Sequence, residues 1–501
     1  MSGPAIKKLK YFSGNEWIES TSEESIPLFN PSLGQQIAEA PCLTAAELDA
    51  VIESAAAAFS SWSATPAPSR VQHLFRFKHL LEQHRDELAC LVATEMGKTL
   101  AEAAGELDRG IEIVEYACGI PSHLMGETLE NVSRDVDVTT WRVPIGAFAG
   151  IVPFNFPLMI PLWMMPVAVA CGNTFILKAA NQVPQSAMRL MDLVKDSGFP
   201  PGVVNLVTCS NDAASRLIEH PDVRGVSFVG STRVAQKVYQ TAAQHGKRVQ
   251  ALAQAKNHCL VLPDCALDRT VQAIVNAAFG CCGQRCMALP VVVAHQAIAD
   301  ELVARIFSAA SSIRVGNALD PETQMGPLVT KEHLARVTAY IQKGVEEGAS
   351  LLLDGRNPRV SAHPEGFYLG PTVFDQVTSG MVIGREEIFG PVLCIRRAED
   401  FEEGMSIINS SEFGNGASIF TSSGYHARDF SHRVQAGMVG INVAIPVPVG
   451  YFSFTGWKKS FFGDLHSHGR DGVLFYTEKK SVTQRWFEDK DHRAAQIGTW
   501  D

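Results

Sequence analysis

The sequence predicts an α/β protein of two domains, each a parallel sheet covered by helices. Short apolar runs rich in Val, Ile and Phe begin near residue 146 with "GAFAGIV", "NTFILK", "GVVNLV" and "GVSFVG", and return as "HCLVLPD", "VVVAH" and "MVGINV". Helix-like segments or turns separate them, the alternation expected of parallel strands with covering helices. The length, 501 residues, suffices for two or more domains with sizeable cores. The first boundary is placed near residue 254.

Taken in order, "TAAELDAVIESAAAAFSSW" reads as a helix, because Leu48, Val51, Ile52, Ala55, Phe59 and Trp62 recur at helical spacing. Thr44 and Glu47 have the spacing of a capping box at its start. A second helix is expected from about Ser69 to Thr94, and a third across "EMGKTLAEAAGELDRGIEIVEYAC", which contains Arg109. The stretch from Ile151 to Leu177 carries no charge and is long enough for a membrane span. Prolines at 153, 157, 161 and 166 would break such a helix repeatedly, so a buried segment with no membrane partner is expected instead.

Composition narrows the function classes. With 46% hydrophobic and 19% charged residues the chain is an ordinary globular protein. A net charge of −10, without a Lys/Arg run, argues against a nucleic-acid partner. The 11 cysteines are odd in number and lack C-x-x-C or Cys/His zinc spacing. No disulfide framework and no metal site are expected, and a reducing, cytoplasmic location is. The opening "MSGPAIKKLKYFSGNEW" has no apolar core of a signal peptide.

Three places could carry chemistry. Gly230-Ser231-Thr232 follows an apolar strand and opens a helix-like segment, which suits either a capped helix or a phosphate seat on free N–H groups. Lys178 ends the run "NTFIL" and is either a solvated strand end or a ligand donor at the sheet's carboxyl edge. Of the three cysteines in "AFGCCGQRCMAL", Cys281 and Cys282 are read as packing residues on a continuing helix. Cys286 follows Gly283, a helix break, and sits beside Arg285, a placement suited to a thiolate.

Five segments together resemble the aldehyde dehydrogenases: "PFNFP" at 153–157, "FILK" at 175–178, "FVGST" at 228–232, "GQRC" at 283–286 and "EEIFGPV" at 386–392. Within that family, "DRG" at 108–110, "AKNH" at 255–258, "GQRCMAL" at 283–289 and "FSFTGWKKSFFGD" at 452–464 are similar to the CoA-acylating methylmalonate- and malonate-semialdehyde dehydrogenases. The resemblance implies a Rossmann-like NAD-binding domain (1–120 and 146–254), an α/β catalytic domain (255–470) and a small β oligomerisation arm (121–145 and 471–501) of a homodimer or homotetramer. It implies Cys286 as nucleophile and Asn155 as oxyanion donor, with Arg109 and Arg285 on a substrate carboxylate. Ile151, Phe154, Lys178, Asn181, Gly230, Ser231, Leu252, Glu387 and Phe389 are implied to line the cofactor site. The reaction implied is oxidative decarboxylation of a carboxylated semialdehyde to an acyl-CoA, with NAD and coenzyme A.

Several positions depart from the family pattern. Leu252 stands where hydrolytic members carry a glutamate that activates water, so a thiol acceptor is expected to replace water. Asn181 replaces a glutamate on the adenosine ribose, which leaves NADP less excluded. Cys209 and Gln254 stand where glycines are usual, and Pro290 where a serine is. These departures admit two other readings, a dehydrogenase of another semialdehyde and a homologue with weakened cofactor binding and a non-catalytic role.

Overall fold

The computed structural model describes residues 6–358, 360 and 362–486. The last residues of the expected arm, 487–501, and the first five of the expected cofactor domain lie outside the described residues. The fold is α/β, built on two large sheets.

Among the described residues the first sheet has eight strands. Its parallel centre runs Arg248–Leu252, Val223–Val229, Ala147–Ile151, Thr174–Lys178 and Val204–Val207. Antiparallel strands close both edges: Phe461–Gly463 on one side, Tyr11–Ser13 and Glu16–Ile18 on the other. From Ala147–Ile151 the chain adds strands first to one side and then to the other. The strand order therefore reverses between Ala147–Ile151 and Val223–Val229, where open α/β sheets place a ligand crevice at their carboxyl ends. The second sheet has seven strands, with His258–Val261 and Val291–His295 at its middle, parallel throughout except for the edge strand Ser350–Leu353. The chain passes from one sheet to the other between Leu252 and His258. A separate antiparallel sheet joins Thr128–Ser133, Val136–Pro144 and Thr477–Arg485.

Local rules account for most element ends. The Ala45–Ala64 helix has the expected capping box of Thr44 and Glu47, and Leu100–Cys118 has a second one from Thr99 and Glu102. Two helix expectations need correction. The expected helix from Ser69 to Thr94 is two helices, Ala67–Gln83 and Arg85–Met96, broken at His84. The helix expected to begin near Glu95 begins at Leu100, because Gly97 takes a left-handed turn with φ 90°.

The proline-rich segment also differs. Met159–Ala170 is a continuous helix with Pro161 in its first turn and Pro166 inside. Pro166 removes the N–H that would reach Leu162 and should bend or break an isolated helix. Here all twelve residues are buried, so packing overrides the local preference. Trp62 Nε1 and Arg70 Nε donate to the carbonyls of Val169 and Ala170, both at 3.1 Å, and satisfy that helix's last turn. Among the described residues no helix is long and apolar enough to cross a membrane.

Candidate functional site

The two sheets meet at a cleft whose walls come from different elements. The first wall is the turn between the Ala147–Ile151 strand and the Met159–Ala170 helix, which carries Phe154, Asn155 and Phe156. A fully buried ion pair holds it. Lys98 Nζ lies 2.7 Å from Glu106 Oε2, and both side chains are 0% exposed. Lys98 also donates to the Asn155 carbonyl at 2.6 Å and sits over the Phe156 ring. Glu106 Oε1 accepts the N–H groups of Leu158 at 2.8 Å and Met159 at 3.0 Å, next to and within the helix start. The backbone of Asn155 is thus fixed by charge on both sides of the turn.

The second wall is the loop after the Leu267–Phe279 helix. The continuing helix expected for Cys281 and Cys282 is not formed: they have φ 51° and 54°, and Gly283 follows at 68°. Three consecutive left-handed residues are costly, and the surroundings hold them. Glu102 Oε1 accepts the Cys281 N–H at 2.6 Å, and the buried Gln284 donates from Nε2 to the Cys281 carbonyl at 3.2 Å. Gln284 Oε1 accepts the Val329 N–H at 3.1 Å. A side chain at Gly283 would meet the Gly390 carbonyl at 2.1 Å, so only glycine fits there.

This turn presents Cys286. Its carbonyl accepts Asn257 Nδ2 at 2.9 Å and Asn415 Nδ2 at 3.1 Å. Asn257 also bonds the Ala288 carbonyl and the Gly416 N–H, tying the loop to the central strands. Burial and the Glu387 carboxylate push the Cys286 thiol up to about 12, against backbone N–H groups of Cys286 and Met287 and the cation of Arg285. The resting sulfur is therefore a thiol at neutral pH. Arg285 donates from Nε to Cys281 Sγ at 3.1 Å and from Nη2 to Glu102 Oε1 at 3.0 Å.

Cys286 borders two spaces. One is a cavity of about 370 Å³ whose lining includes Glu102, Arg109, Phe156, Trp163, Arg285 and Cys286. Both arginines singled out in the sequence thus reach one space with the cysteine. Arg109 is exposed and pairs with Glu112 at 2.8 Å, so it is free to exchange partners. The other is a small recess that Cys286 and Arg285 share with Asn257, Pro290, Glu387 and Phe389. A larger cavity of about 670 Å³, between Ala310 and Pro371, contains no cysteine.

The remaining candidate residues lie along the carboxyl edge of the first sheet, except Glu387 and Phe389, which precede the Val392–Ala398 strand of the second. Ile151 ends its strand at the reversal of strand order, and Lys178 ends the next, its Nζ bonded to Asn181 Oδ1 at 2.8 Å. Burial lowers the Lys178 pKa. The Gly230 N–H donates to the Leu252 carbonyl at 3.1 Å, and Ser231 caps the Thr232–Gln244 helix without a side-chain hydrogen bond. Leu252 is buried against apolar neighbours, so no carboxylate stands at its place. Phe154 and Phe389 meet edge to face at 5.8 Å, and Phe389 takes φ 61° with its carbonyl 2.7 Å from His333 Nε2. Glu387 accepts the Ala255 N–H at 2.9 Å, and burial raises its pKa.

Sequence reasoning missed Lys98, Glu106, Glu102 and Asn415, and gave Asn257 no role. A lysine directly before a helix cap and an asparagine inside "FGNGASIF" were the available signals. Neither reveals its partner at the site: Lys98 reaches the Asn155 carbonyl 57 positions on, and Asn415 reaches the Cys286 carbonyl 129 positions back.

Residues 17–482 match the model of the aldehyde dehydrogenase family. A protein of Geobacillus kaustophilus named malonate-semialdehyde dehydrogenase 3 is 50% identical, covering 96% of this chain and 99% of its own. A malonate-semialdehyde dehydrogenase of Bacillus cereus is 48% identical over the same shares. Among solved structures, the methylmalonate-semialdehyde dehydrogenase of Oceanimonas doudoroffii is 44% identical, with 96% and 99% of the two chains covered and a TM-score of 0.95. A Sinorhizobium meliloti structure complexed with NAD, provisionally given the same name, is 41% identical, with 97% and 99% covered and a TM-score of 0.95.

Proposed function

This chain belongs to the aldehyde dehydrogenase family, and from that premise we propose that it oxidises malonate or methylmalonate semialdehyde to acetyl-CoA or propionyl-CoA with release of CO2, reducing NAD. The observation that carries the reading is the single cavity that gathers Cys286, Arg109 and Arg285, while an apolar Leu252 ends the neighbouring strand. Two guanidinium groups suit a carboxylate.

The crevice fits the dinucleotide. Ile151, Gly230 and Ser231 stand at the carboxyl ends of two adjacent strands, Lys178 and Asn181 offer polar groups for the adenosine ribose, and Glu387 offers an acceptor for the second ribose, with Phe154 and Phe389 meeting nearby in sequence and space. When bound, NAD supplies the hydride acceptor. Asn181 is neutral, so a 2′-phosphate is not repelled and NADP is tolerated.

As the Cys286 sulfur bonds to the aldehyde carbon its proton passes to solvent and the C=O π pair moves onto oxygen, where Asn155 with the Cys286 N–H steadies the oxyanion, each donor contributing about 3 kcal/mol. Oxidation of this thiohemiacetal leaves a thioester on Cys286. Water attacks it slowly because Leu252 is no base, whereas a thiol ionises far more readily, with a pKa of about 8.5 for a simple one, so coenzyme A takes the acyl group. The bond from the acyl chain to the substrate's carboxylate breaks, CO2 leaves, the bonding pair is held as an enolate on the thioester carbonyl, and a proton from solvent completes the acyl chain.

We assign 1–120 and 146–254 to cofactor binding, 255–470 to catalysis and 121–145 with 471–501 to assembly as a homodimer or homotetramer. Leu129, Val132 and Trp141 on that arm are exposed and apolar, which supports the last assignment. Eleven free cysteines support a reducing, cytoplasmic location.

The test is an assay of both semialdehydes with NAD or NADP, with and without coenzyme A. Acyl-CoA and CO2 are expected, lost in Cys286→Ala and largely kept in Cys282→Ala. A free acid formed equally fast without coenzyme A overturns the acylating reading.

A further inference from the structure

The two arginines that share a cavity with Cys286 are held very differently. Arg109 is exposed and pairs only with Glu112 on its own helix. Arg285 is seated. Its Nε donates to Cys281 Sγ at 3.1 Å and its Nη2 to Glu102 Oε1 at 3.0 Å, while Nη1 has no hydrogen-bond partner among the described residues. The guanidinium rests on Gly280: a Cβ built there would stand 2.4 Å from Nη1, 2.6 Å from Cζ and 2.7 Å from Nη2. The backbone does not require glycine at this position, because φ −55° and ψ 142° suit any residue. What requires it is the guanidinium lying where a side chain would be.

The seat matters because Arg285 has two places to go. Glu102, Gly280 and Arg285 also line a second cavity of about 560 Å³, whose lining includes neither Cys286 nor Arg109. A long side chain at the border of two spaces would otherwise divide its time between them.

We propose that Gly280 and Cys281 are positioning residues that, with Glu102, hold the Arg285 guanidinium in one place and so set the preference for a carboxylated aldehyde over an uncharged one of the same length. The proposal rests on the reading of Arg285 as a carboxylate ligand given above.

A guanidinium is a planar fork whose grip on a carboxylate depends on its orientation. A seated one has already lost its rotamer freedom on folding, so binding does not bear that cost. Cys281 orients one edge through a weak sulfur acceptor, and burial raises its pKa, so it stays a neutral thiol. The charge of Arg285 is then shared between Glu102 and the substrate alone. Glu102 cannot serve as a loose partner, because the same Oε1 also accepts the Cys281 N–H at 2.6 Å.

The experiment is steady-state kinetics of the intact protein with NAD and coenzyme A, on malonate semialdehyde and on propanal, which carries a methyl group where the carboxylate would be. Wild type, Gly280→Ala, Cys281→Ala, Cys281→Ser and Arg285→Leu are compared, with thermal melting to confirm folding. The atoms that an alanine at 280 would meet are the far end of a flexible side chain, so the fold is kept and Arg285 moves. Gly280→Ala should raise the KM for malonate semialdehyde about tenfold and leave its kcat, and both constants for propanal, within about twofold. Cys281→Ala should raise the same KM about threefold, and Cys281→Ser, which restores an acceptor, should return it to within about twofold of wild type. Arg285→Leu should raise it at least about fiftyfold. If Gly280→Ala and Cys281→Ala leave the KM for malonate semialdehyde unchanged, or impair both aldehydes alike, while Arg285→Leu impairs only the carboxylated one, the seat is overturned and the carboxylate reading stands. If Arg285→Leu affects both aldehydes equally, that reading fails and the seat with it.

Discussion

The two walls of the cleft are fixed by different physics. The Asn155 wall rests on a formal ion pair at 0% exposure, Lys98 with Glu106, whose spare hydrogen-bonding capacity goes to backbone groups of the same turn. The Cys286 wall rests mainly on neutral amides, Asn257, Asn415 and Gln284, with one partly exposed ion pair, Glu102 with Arg285, at its left-handed turn. A charge pair in a dry interior is an all-or-nothing device, because loss of one partner strands the other. An amide network degrades by degrees. The difference puts a fully buried charge pair behind the Asn155 turn, whereas the charge behind the Cys286 turn, Glu102 with Arg285, is partly exposed and shares its load with neutral amides.

Breaking the charged wall should have the largest effect. Glu106→Gln leaves the Lys98 ammonium buried without a counter-charge and should cost about 3–5 kcal/mol in chemical denaturation. Lys98→Met combined with Glu106→Gln should cost less than Glu106→Gln alone, because no charge is then stranded. A double variant as unstable as the sum of the two single ones would show that packing, not charge, holds the wall. The amide wall should yield less. Asn257→Ala removes three hydrogen bonds and should cost about 2–3 kcal/mol, whereas Asn415→Ala removes one of two donors to the Cys286 carbonyl and should cost about 1 kcal/mol. Equal losses from Asn257→Ala and Asn415→Ala would deny the graded character of this wall.

The same contrast marks what the sequence could reveal. Strand-helix alternation, the Thr44–Glu47 capping box and the parallel runs are local patterns, and the structure contains them. Cys286, Arg109 and Arg285 were legible as family motifs, and the structure brings them to one cavity. What stayed hidden was non-local. Pro166 lies inside a helix because burial on every side outweighs a missing hydrogen bond. Cys281 and Cys282 look helical by composition, but Glu102, almost 180 positions earlier, captures the Cys281 N–H and turns the chain. Glu102 itself is read from the sequence as a helix residue with no hint that it also faces Arg285.

The smallest effect isolates the electrostatics of the nucleophile. Glu387 pushes the Cys286 thiol upward, while Arg285 and two backbone N–H groups pull it down, and burial dominates. Neutralising the carboxylate removes an upward push, so the thiol pKa falls and the thiolate fraction at a fixed pH rises. In the ligand-free protein, alkylation of Cys286 by iodoacetamide at pH 8.5 should therefore be about threefold faster in Glu387→Gln, the effect expected of one screened charge at short range. In both proteins the rate should keep climbing above pH 9, since the wild-type thiol sits near 12. Arg285→Gln acts with the opposite sign and should slow the reaction at the same pH. If Glu387→Gln instead slows alkylation, the carboxylate is assisting proton removal from the sulfur, and its upward push on the Cys286 thiol is refuted.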